Sequence, residues 1–440
     1  MDVAKELILA GFADSDDKLQ IGGVLIDQIT NEFGTPLFIY DAGILERSWK
    51  VLRSTFPKEF EISYSVKANP NPHILQFFLA KGCGLEIASA GELHLALNAG
   101  CAPSKLLFAG PGKSEAELEL ALAQRLGEIH VESLLEAQRV NSISRRLGIN
   151  APVALRVNPN SAAQGGAMQM GGKPAPFGVD EERLDDTVAQ LLELGSLEFR
   201  GLHFYLGTQI LDDQILVRQY RHALTIVKRV VAKLGQPLET VDFGGGLGIP
   251  YFSGERALDT EALRGALRLL MSETAADSTF DGTRFVIEPG RYLVGGSGVY
   301  VARVNDIKLS RGKKYVIVDG GMNHHLAASG NLGQVIKRNF PIAVLNKLND
   351  ENQERVEIVG PLCTPLDTLG RDVELPKLEI GDLIGVFQSG AYARTASPLH
   401  FLSYPSPAEV MVQDEGSHLI RRRGTVEDLL RDIPSKCSGG

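Results

Sequence analysis

The amino-acid sequence predicts an α/β protein in which a (β/α)8 TIM barrel is combined with a β-rich, sandwich- or barrel-like domain. Two observations lead to this fold class. Eight short apolar runs alternate with helical patterns between residues 61 and 290, and short alternating strands dominate after residue 298. We expect the barrel to span 42–290, and the N- and C-terminal segments, 1–41 and 291–440, to build the β-rich domain.

The predicted barrel strands are short runs rich in apolar and β-branched residues. They are EISYSVKA (61–68), GLEIA (84–88), LLFAG (106–110), EIHVES (128–133), VALRVNP (153–159), EFRGLHFYLG (198–207), TVDFGGG (240–246) and RFVIEPG (284–290). The segments between them place apolar residues three and four positions apart, as amphipathic helices do. A doubly wound sheet is the main alternative, but one unbroken series of strand–helix units favours closure into a barrel.

The second domain is predicted from alternating apolar and polar residues. Its strands are VYVARVNDIKL (299–309), KKYVIVDGG (313–321), RVEIVG (355–360) and LIGVFQSGAY (383–392). The stretch VLIDQITNEFGTPLFIYD (24–41) is predicted to form a strand, a turn and a strand, and to join this domain. A Gly-rich insertion is expected at 160–180, and the terminal PSKCSGG is expected to be disordered.

Composition and charge exclude several classes of protein. The chain has 45 Lys and Arg against 54 Asp and Glu, a net charge of −9, so no nucleic-acid partner is expected. No apolar run approaches the roughly 18 residues of a membrane span. The cysteines are scattered and form no CxxC pair, which argues against a disulfide framework or zinc site and for a cytoplasmic protein. His324 and His325 would point to opposite faces of a strand, so no metal site is expected.

Several residues with chemical potential end predicted strands, at the working face of a barrel. Lys67 is a Schiff-base candidate if it is desolvated, or else a lysine that extends to solvent. His203 could stack on a planar ring or act as acid or base, but considered alone it is better explained as a structural histidine. The run Gly244–Gly246 could bring backbone N–H groups to a phosphate or simply form a tight turn.

Glu288 and Arg291 end the eighth strand. The carboxylate could hold a pyridine nitrogen protonated and the guanidinium could bind phosphate, whereas the alternative is a surface ion pair. Phosphate sites of barrels often follow strands seven and eight, which favours the functional interpretation. In the β-rich domain, Cys363 could donate a proton or fill apolar space, and the Tyr392 hydroxyl could reach a phosphate.

Taken together, the motifs resemble one family. YSVKANPNP, EIASAGEL, FAGPGK, GLHFYLGTQ, VDFGGGLG, EPGR, GPLC and SGAY follow one another over about residues 35–405. This set is similar to that of the fold-type III pyridoxal-phosphate decarboxylases, the group of diaminopimelate, ornithine and arginine decarboxylases. The resemblance implies pyridoxal 5′-phosphate as cofactor and a homodimer in which a loop of the β domain completes the partner's active site.

The resemblance also implies a role for each matching residue. Lys67 would form the Schiff base, His203 would stack on the cofactor ring, and Glu288 would pair with the ring nitrogen. The phosphate would be held by a set of small, hydroxyl and basic residues: Thr208, Gly245, Gly246, Arg291 and Tyr392. Cys363 would reach in from the other subunit and return a proton to carbon after CO₂ leaves, with Asp367 near it at the dimer-built site.

Departures from the family concern the substrate. Thr364 stands where diaminopimelate decarboxylases carry a Glu for the distal amino group. HHLAASGNLGQ replaces the Arg-Pro-x-Leu-Tyr stretch that holds the distal carboxylate, and Glu86 replaces an Asp. These features resemble a subgroup of natural-product and exopolysaccharide pathways that includes the butirosin glutamyl-carrier-protein decarboxylase. The expected substrate is therefore a modified or carrier-bound amino acid, with small residues (327–330) leaving the site open.

Three alternatives remain. The chain could be a diaminopimelate decarboxylase for lysine synthesis, or a racemase, although Glu288 and Cys363 disfavour the latter. It could also be a cofactor-binding regulator without catalysis, which the intact Lys67 and Cys363 disfavour.

Overall fold

The computed structural model describes residues 3–160, 168–169, 174–205 and 207–434. Most of the Gly-rich insertion and nearly all of the C-terminal tail predicted to be disordered lie outside these residues. The chain forms two compact units. One comprises Ser48–Pro250 and Arg256–Leu293, and the other comprises Met1–Arg47, Tyr251–Glu255 and Val294–Gly440.

The first unit is a closed barrel of eight parallel strands. In chain order they are Phe60–Ser65, Gly84–Ile87, Leu106–Phe108, Glu128–Val131, Ala151–Asn158, Leu197–Phe204, Thr240–Asp242 and Arg284–Ile287. Each strand pairs with the next, and the eighth pairs with the first, which closes the sheet. The predicted (β/α)8 barrel is confirmed, and an open doubly wound sheet is excluded.

Seven helices connect successive barrel strands, as the apolar periodicity predicts. They are Pro72–Ala80, Ala90–Asn98, Glu115–Ala123, Leu134–Leu147, Leu184–Leu192, Asp213–Leu234 and Thr260–Ala275. Most begin at a side chain that accepts hydrogen bonds from the first free N–H groups of the helix. Ser114, for example, forms a capping box with Glu117. Such caps fix where each loop ends, and the loops at this end of the barrel carry the candidate site residues.

The fourth barrel strand shows how polar residues enter the barrel. All four of its residues are buried, because helices cover the outside of the barrel and side chains fill the inside. Neighbouring residues of a strand point to opposite sides, so Glu128 and His130 share one side and Ile129 shares the other with Val131. Glu128 and His130 face inward, since His130 contacts Asp242 of the seventh strand and Glu288, which directly follows the eighth.

The second unit is β-rich and is built from both ends of the chain, as predicted. Its long strand Gly298–Ser310 pairs with the N-terminal strand Leu37–Asp41, which in turn pairs with Ala408–Gln413. The other strands of this sheet are Lys313–Val318, Ile342–Val344, Gln353–Val359, Thr368–Pro376, Leu383–Val386 and Gly416–Arg421. A core of Leu, Ile and Val from both ends of the chain holds the strands together.

The N-terminal prediction is only half right. Residues Leu37–Asp41 form the expected strand, but most of the first predicted strand is the helix Ile26–Phe33. Ile26, Ile29 and Thr30 are buried at the spacing of one helix face, which the short Val-Leu-Ile run concealed. Ahead of it lie a helix, Val3–Gly11, and a small sheet of Ala13–Ser15, Lys18–Ile21 and Val24–Leu25. Among the described residues, no helix combines the length and hydropathy of a membrane span.

Candidate active site at the carboxyl ends of the barrel strands

Lys67 lies in the one-turn helix Val66–Ala68 that follows the first barrel strand. Its Nζ is 3.1 Å from both carboxylate oxygens of Glu86 in the second strand. The Glu86 side chain is 1% exposed, whereas that of Lys67 is 39% exposed. Ser65 Oγ donates a further hydrogen bond to Glu86 at 2.5 Å. A buried carboxylate thus orients an ammonium group that still reaches solvent, which leaves the amine open to reaction.

His203 and Glu288 are buried together inside the barrel. His203 Nε2 is 3.4 Å from Glu288 Oε2, and both side chains are at most 3% exposed. Burial lowers the pKa of His203 well below 6.5, so the imidazole is neutral. Both ring nitrogens of His203 and the Oε1 atom of Glu288 find no hydrogen-bond partner in the part of the chain that the structure describes. Such buried polar atoms without partners are costly and mark a place where a ligand would supply them.

The glycine run after the seventh strand lies between the loops of the neighbouring strands. Gly244 has φ +68°, and a Cβ there would lie 2.3 Å from the carbonyl oxygen of Phe204. A Cβ on Gly245 would lie 2.6 Å from the carbonyl oxygen of Glu288. Only glycine permits these approaches. The N–H groups of Gly245 and Gly246 have no acceptor among the described residues, so the tight turn also leaves donors free for an anion.

The remaining barrel residues of the predicted site lie in adjoining loops. Arg291 begins the short helix Arg291–Val294, three residues after Glu288. Thr208 belongs to a two-residue strand, Gly207–Thr208, and the carbonyl of Gly207 approaches Gly246. The Ser65 N–H donates to the carbonyl of Pro289 at 3.2 Å. The structure therefore gathers the Lys67, Thr208, Gly245, Glu288 and Arg291 segments at one end of the barrel.

The other predicted residues belong to the β-rich unit. Cys363 is exposed, and Tyr392 is partly buried with φ +52°. Asp367 is 2% exposed and turned into its own unit. Its Oδ1 accepts a hydrogen bond from Met322 N at 2.6 Å and its Oδ2 accepts one from Leu362 N at 2.8 Å. Asp367 therefore anchors the loop that carries Cys363, and its oxygens are already engaged within the chain.

His324 and His325 have separate partners, but not for the predicted reason. They lie in a turn and not on a strand. His324 Nδ1 is 3.1 Å from the Tyr300 hydroxyl, and His325 Nε2 is 2.9 Å from Ser389 Oγ. Burial lowers the pKa of His324 to about 4 and that of His325 to about 3. Both are neutral histidines with hydrogen-bond partners in the β-rich unit.

The structure adds residues that sequence reasoning missed. Three further polar residues are fully buried next to His203 and Glu288: Glu128, His130 and Asp242. One side-chain nitrogen or oxygen atom from each of His130, His203, Asp242 and Glu288 lies within 4.8 Å of the other three. Glu92 is largely buried near Glu86, and burial together with the Glu86 charge raises its pKa to about 7. The signal in the sequence is weak, because a polar residue in a short strand is usually assigned to its solvent face.

Comparisons with known proteins identify the family. The model of the pyridoxal-dependent decarboxylases, pyridoxal binding domain, matches residues 42–295. The L-glutamyl-[BtrI acyl-carrier protein] decarboxylase of Niallia circulans is 39% identical over 408 residues, which cover 92% of this chain and 95% of that protein. The chain belongs to the pyridoxal-dependent decarboxylases.

Other members of the family agree with this assignment. The diaminopimelate decarboxylase of Archaeoglobus fulgidus is 34% identical over 425 residues, covering 95% of this chain and 97% of that protein. The crystal structure of diaminopimelate decarboxylase from M. jannaschii has a TM-score of 0.88 at 28% identity, covering 97% of this chain and 98% of that one. The predictions of a decarboxylase and of pyridoxal 5′-phosphate as cofactor are confirmed.

The residues present fit three parts of bound pyridoxal 5′-phosphate: its ring, its phosphate and its link to a lysine amine. The neutral His203 offers a flat face for a ring, and the free Oε1 of Glu288 is an acceptor for a protonated ring nitrogen. The N–H groups of Gly245 and Gly246 suit a phosphate. Lys67 supplies the amine. The individual roles of these residues stay predictions.

Proposed function

We propose that this enzyme decarboxylates an amino acid carried on an acyl-carrier protein, with the L-glutamyl thioester as the first candidate. The observation that carries the proposal is the 39% identity, over 92% of the chain, to a decarboxylase whose name specifies that substrate. Identity at this level over nearly all of both chains favours related chemistry. A diaminopimelate decarboxylase is the second candidate, supported by the 34% identical relative.

The loop beside Cys363 favours the first candidate. Thr364 occupies the position of the family's glutamate, and its Oγ1 accepts a hydrogen bond from Leu366 N at 3.3 Å. This short side chain is engaged within its own loop and carries no negative charge to pair with a distal ammonium group. A site built around a substrate amine loses most of its discrimination when the partner is missing.

The small residues at 327–330 do not add support. Ser329 is fully buried, and its hydroxyl donates to the carbonyl of Leu326 at 2.7 Å. Ala328 is also buried, so this stretch packs inward within its unit and does not form the open surface that the sequence suggested. A tethered substrate is therefore supported by the Niallia circulans relative and by Thr364.

Each candidate residue has a proposed role in the reaction. When bound, pyridoxal phosphate supplies an electron sink for the pair left on Cα as the carboxylate departs. Lys67 would hold the cofactor covalently, and Glu86 would orient the Lys67 Nζ. His203 would support one face of the ring without adding charge, and Glu288 would accept a hydrogen bond from the protonated ring nitrogen. The Cys363 Sγ then delivers a proton to Cα.

We further propose a homodimer in which Cys363 serves the partner's site, while Asp367 positions the loop from within its own chain. Mixing inactive Lys67→Ala and Cys363→Ala subunits tests this. If the sites are shared, a heterodimer contains one intact site and activity returns. Subunit exchange must first be verified. If activity then fails to return, the active sites are not shared between subunits. A cytoplasmic location stays a prediction.

The substrate is tested by CO₂ release from four compounds in parallel. These are the L-glutamyl thioester of the BtrI acyl-carrier protein, free L-glutamate, L-glutamyl pantetheine and meso-diaminopimelate, with Lys67→Ala as the blank. We expect kcat/KM for the carrier thioester to exceed that for diaminopimelate at least about a hundredfold. Efficient turnover of diaminopimelate with none of the carrier thioester would overturn the proposal. If the protein binds the cofactor but releases CO₂ from none of the four compounds, the result would favour a cofactor-binding regulator without catalysis.

A further inference from the structure

A five-residue cluster of ionisable side chains fills the barrel interior around Glu288. His130 Nε2 is 3.1 Å from Glu128 Oε1 and 3.9 Å from Asp242 Oδ2. On the other side of the same ring, His130 Nδ1 is 3.8 Å from Glu288 Oε1. The rings of His130 and His203 lie 4.2 Å apart, centroid to centroid. All five side chains are at most 3% exposed, so water does not screen their charges.

Burial disfavours the charged form of two members of the cluster. Asp242 has a pKa raised well above 3.8, first by burial and then by the charge of Glu288. Its Oδ1 still accepts a hydrogen bond from Gly244 N at 2.7 Å. His203 is neutral because burial lowers its pKa. The two remaining carboxyl groups, those of Glu128 and Glu288, lie on either side of the His130 ring.

Three cationic side chains in the described part of the barrel have other carboxylate partners. Lys67 is paired with Glu86, Lys113 with Glu136, and Arg156 with Glu132. Two carboxylates in a dry interior strongly disfavour each other's ionisation unless a positive charge lies between them. His130 lies between them, with one ring nitrogen toward each.

We propose that His130, paired with Glu128, is a positioning residue that keeps Glu288 ionised. As an imidazolium it donates through Nε2–H to Glu128 and presents Nδ1–H to Glu288. Glu288 then remains a carboxylate and leaves the proton on the cofactor's ring nitrogen. This inference rests on the proposed role of Glu288 and not on the identity of the substrate.

The test follows the proton on the cofactor and not turnover. Each variant is reconstituted with pyridoxal phosphate labelled with ¹⁵N in the ring, and the ¹⁵N chemical shift is measured at pH 7.5. The wild type should show a protonated nitrogen. In His130→Asn, Glu128 and Glu288 lose their common cation, the proton moves toward Glu288, and the ratio of protonated to neutral nitrogen should fall about tenfold or more.

The double variant separates charge balance from damage to the structure. Adding Glu128→Gln to His130→Asn removes the excess negative charge, so the ring nitrogen should return to its protonated state. A purely structural role predicts instead that the second substitution adds to the damage. His222→Asn, on an outer helix, is the control for removing a histidine and should leave the shift unchanged.

The chemical shifts of the single and double variants decide whether His130 keeps Glu288 ionised. An unchanged shift in His130→Asn, or a double variant no better than the single one, overturns it. If the single variant fails to bind the cofactor, the double variant alone carries the test, because it is expected to bind and to match the wild type. Glu288→Gln is the reference for the underlying role: if the wild type already resembles it, the role of Glu288 fails first.

Discussion

The environment of Glu92 predicts how much this residue changes the free energy of unfolding with pH. Its Oε2 accepts a hydrogen bond from Ala88 N at 2.7 Å, and burial together with the Glu86 charge raises its pKa to about 7. Compared with an ordinary value of 4.5, this makes the ionised carboxylate about 3 kcal/mol less stable in the folded protein than in the unfolded chain. Because the folded pKa is raised, this cost is absent at low pH and grows as the pH rises toward 7.

Substituting Glu92 by Gln removes this pH dependence. The amide stays neutral, and its oxygen can still accept from Ala88 N. The free energy of unfolding of Glu92→Gln should exceed that of the wild type by less than about 1 kcal/mol at pH 5 and by about 3 kcal/mol at pH 8. Urea unfolding of the cofactor-free protein at several pH values, followed by circular dichroism, measures this difference.

A matched control is Glu182→Gln, which changes an exposed glutamate of the same unit. Its curve should run parallel to that of the wild type at every pH. A Glu92→Gln curve that also runs parallel to that of the wild type would contradict the buried, destabilised carboxylate. So would a Glu92→Gln protein that is less stable than the wild type at pH 8, because Glu92 would then be favourably ionised, with Lys67 as its partner.

Three further substitutions test the site. Cys363→Ala should leave cofactor affinity intact but slow turnover at least about tenfold, whereas Cys101→Ala should not slow it; unchanged turnover and product would remove the proposed role. Asp367→Asn leaves one buried N–H unsatisfied and should lower the free energy of unfolding by about 1–3 kcal/mol, measured with urea; no loss would contradict the anchoring contacts. Gly245→Ala should weaken cofactor binding, measured by absorbance titration, while Gly265→Ala, with open space around its Cβ, should not.

The barrel could be predicted because its signals are local and repeated. Each strand is a short apolar run, each helix shows its own periodicity, and serine or aspartate caps mark the starts of several helices. The helix Ile26–Phe33 was missed because its apolar residues begin inside a run typical of a strand. That error shows the limit of periodicity in segments of two or three turns.

The sequence could predict only those site residues whose position at the end of a barrel strand indicates where they lie in the fold. Lys67, His203 and Glu288 follow or end strands of a barrel, and such positions converge at one end whatever the loops do. The burial of Glu128, His130 and Asp242 depends on the closure of the barrel, which places the fourth strand across from the neighbouring seventh and eighth strands. The inward orientation of Asp367 likewise depends on contacts with Met322, 45 residues away, and no local pattern reports them.

The most direct test concerns Lys67, which we propose carries the cofactor at the carboxyl end of the first barrel strand. Borohydride reduction of the holoenzyme fixes the cofactor to the lysine that binds it, and peptide mass spectrometry then locates the added mass. We expect the label on the peptide that contains Lys67, and its loss in Lys67→Ala. A label on another lysine, such as the buried Lys113, or a holoenzyme that reduction leaves unlabelled, would contradict it.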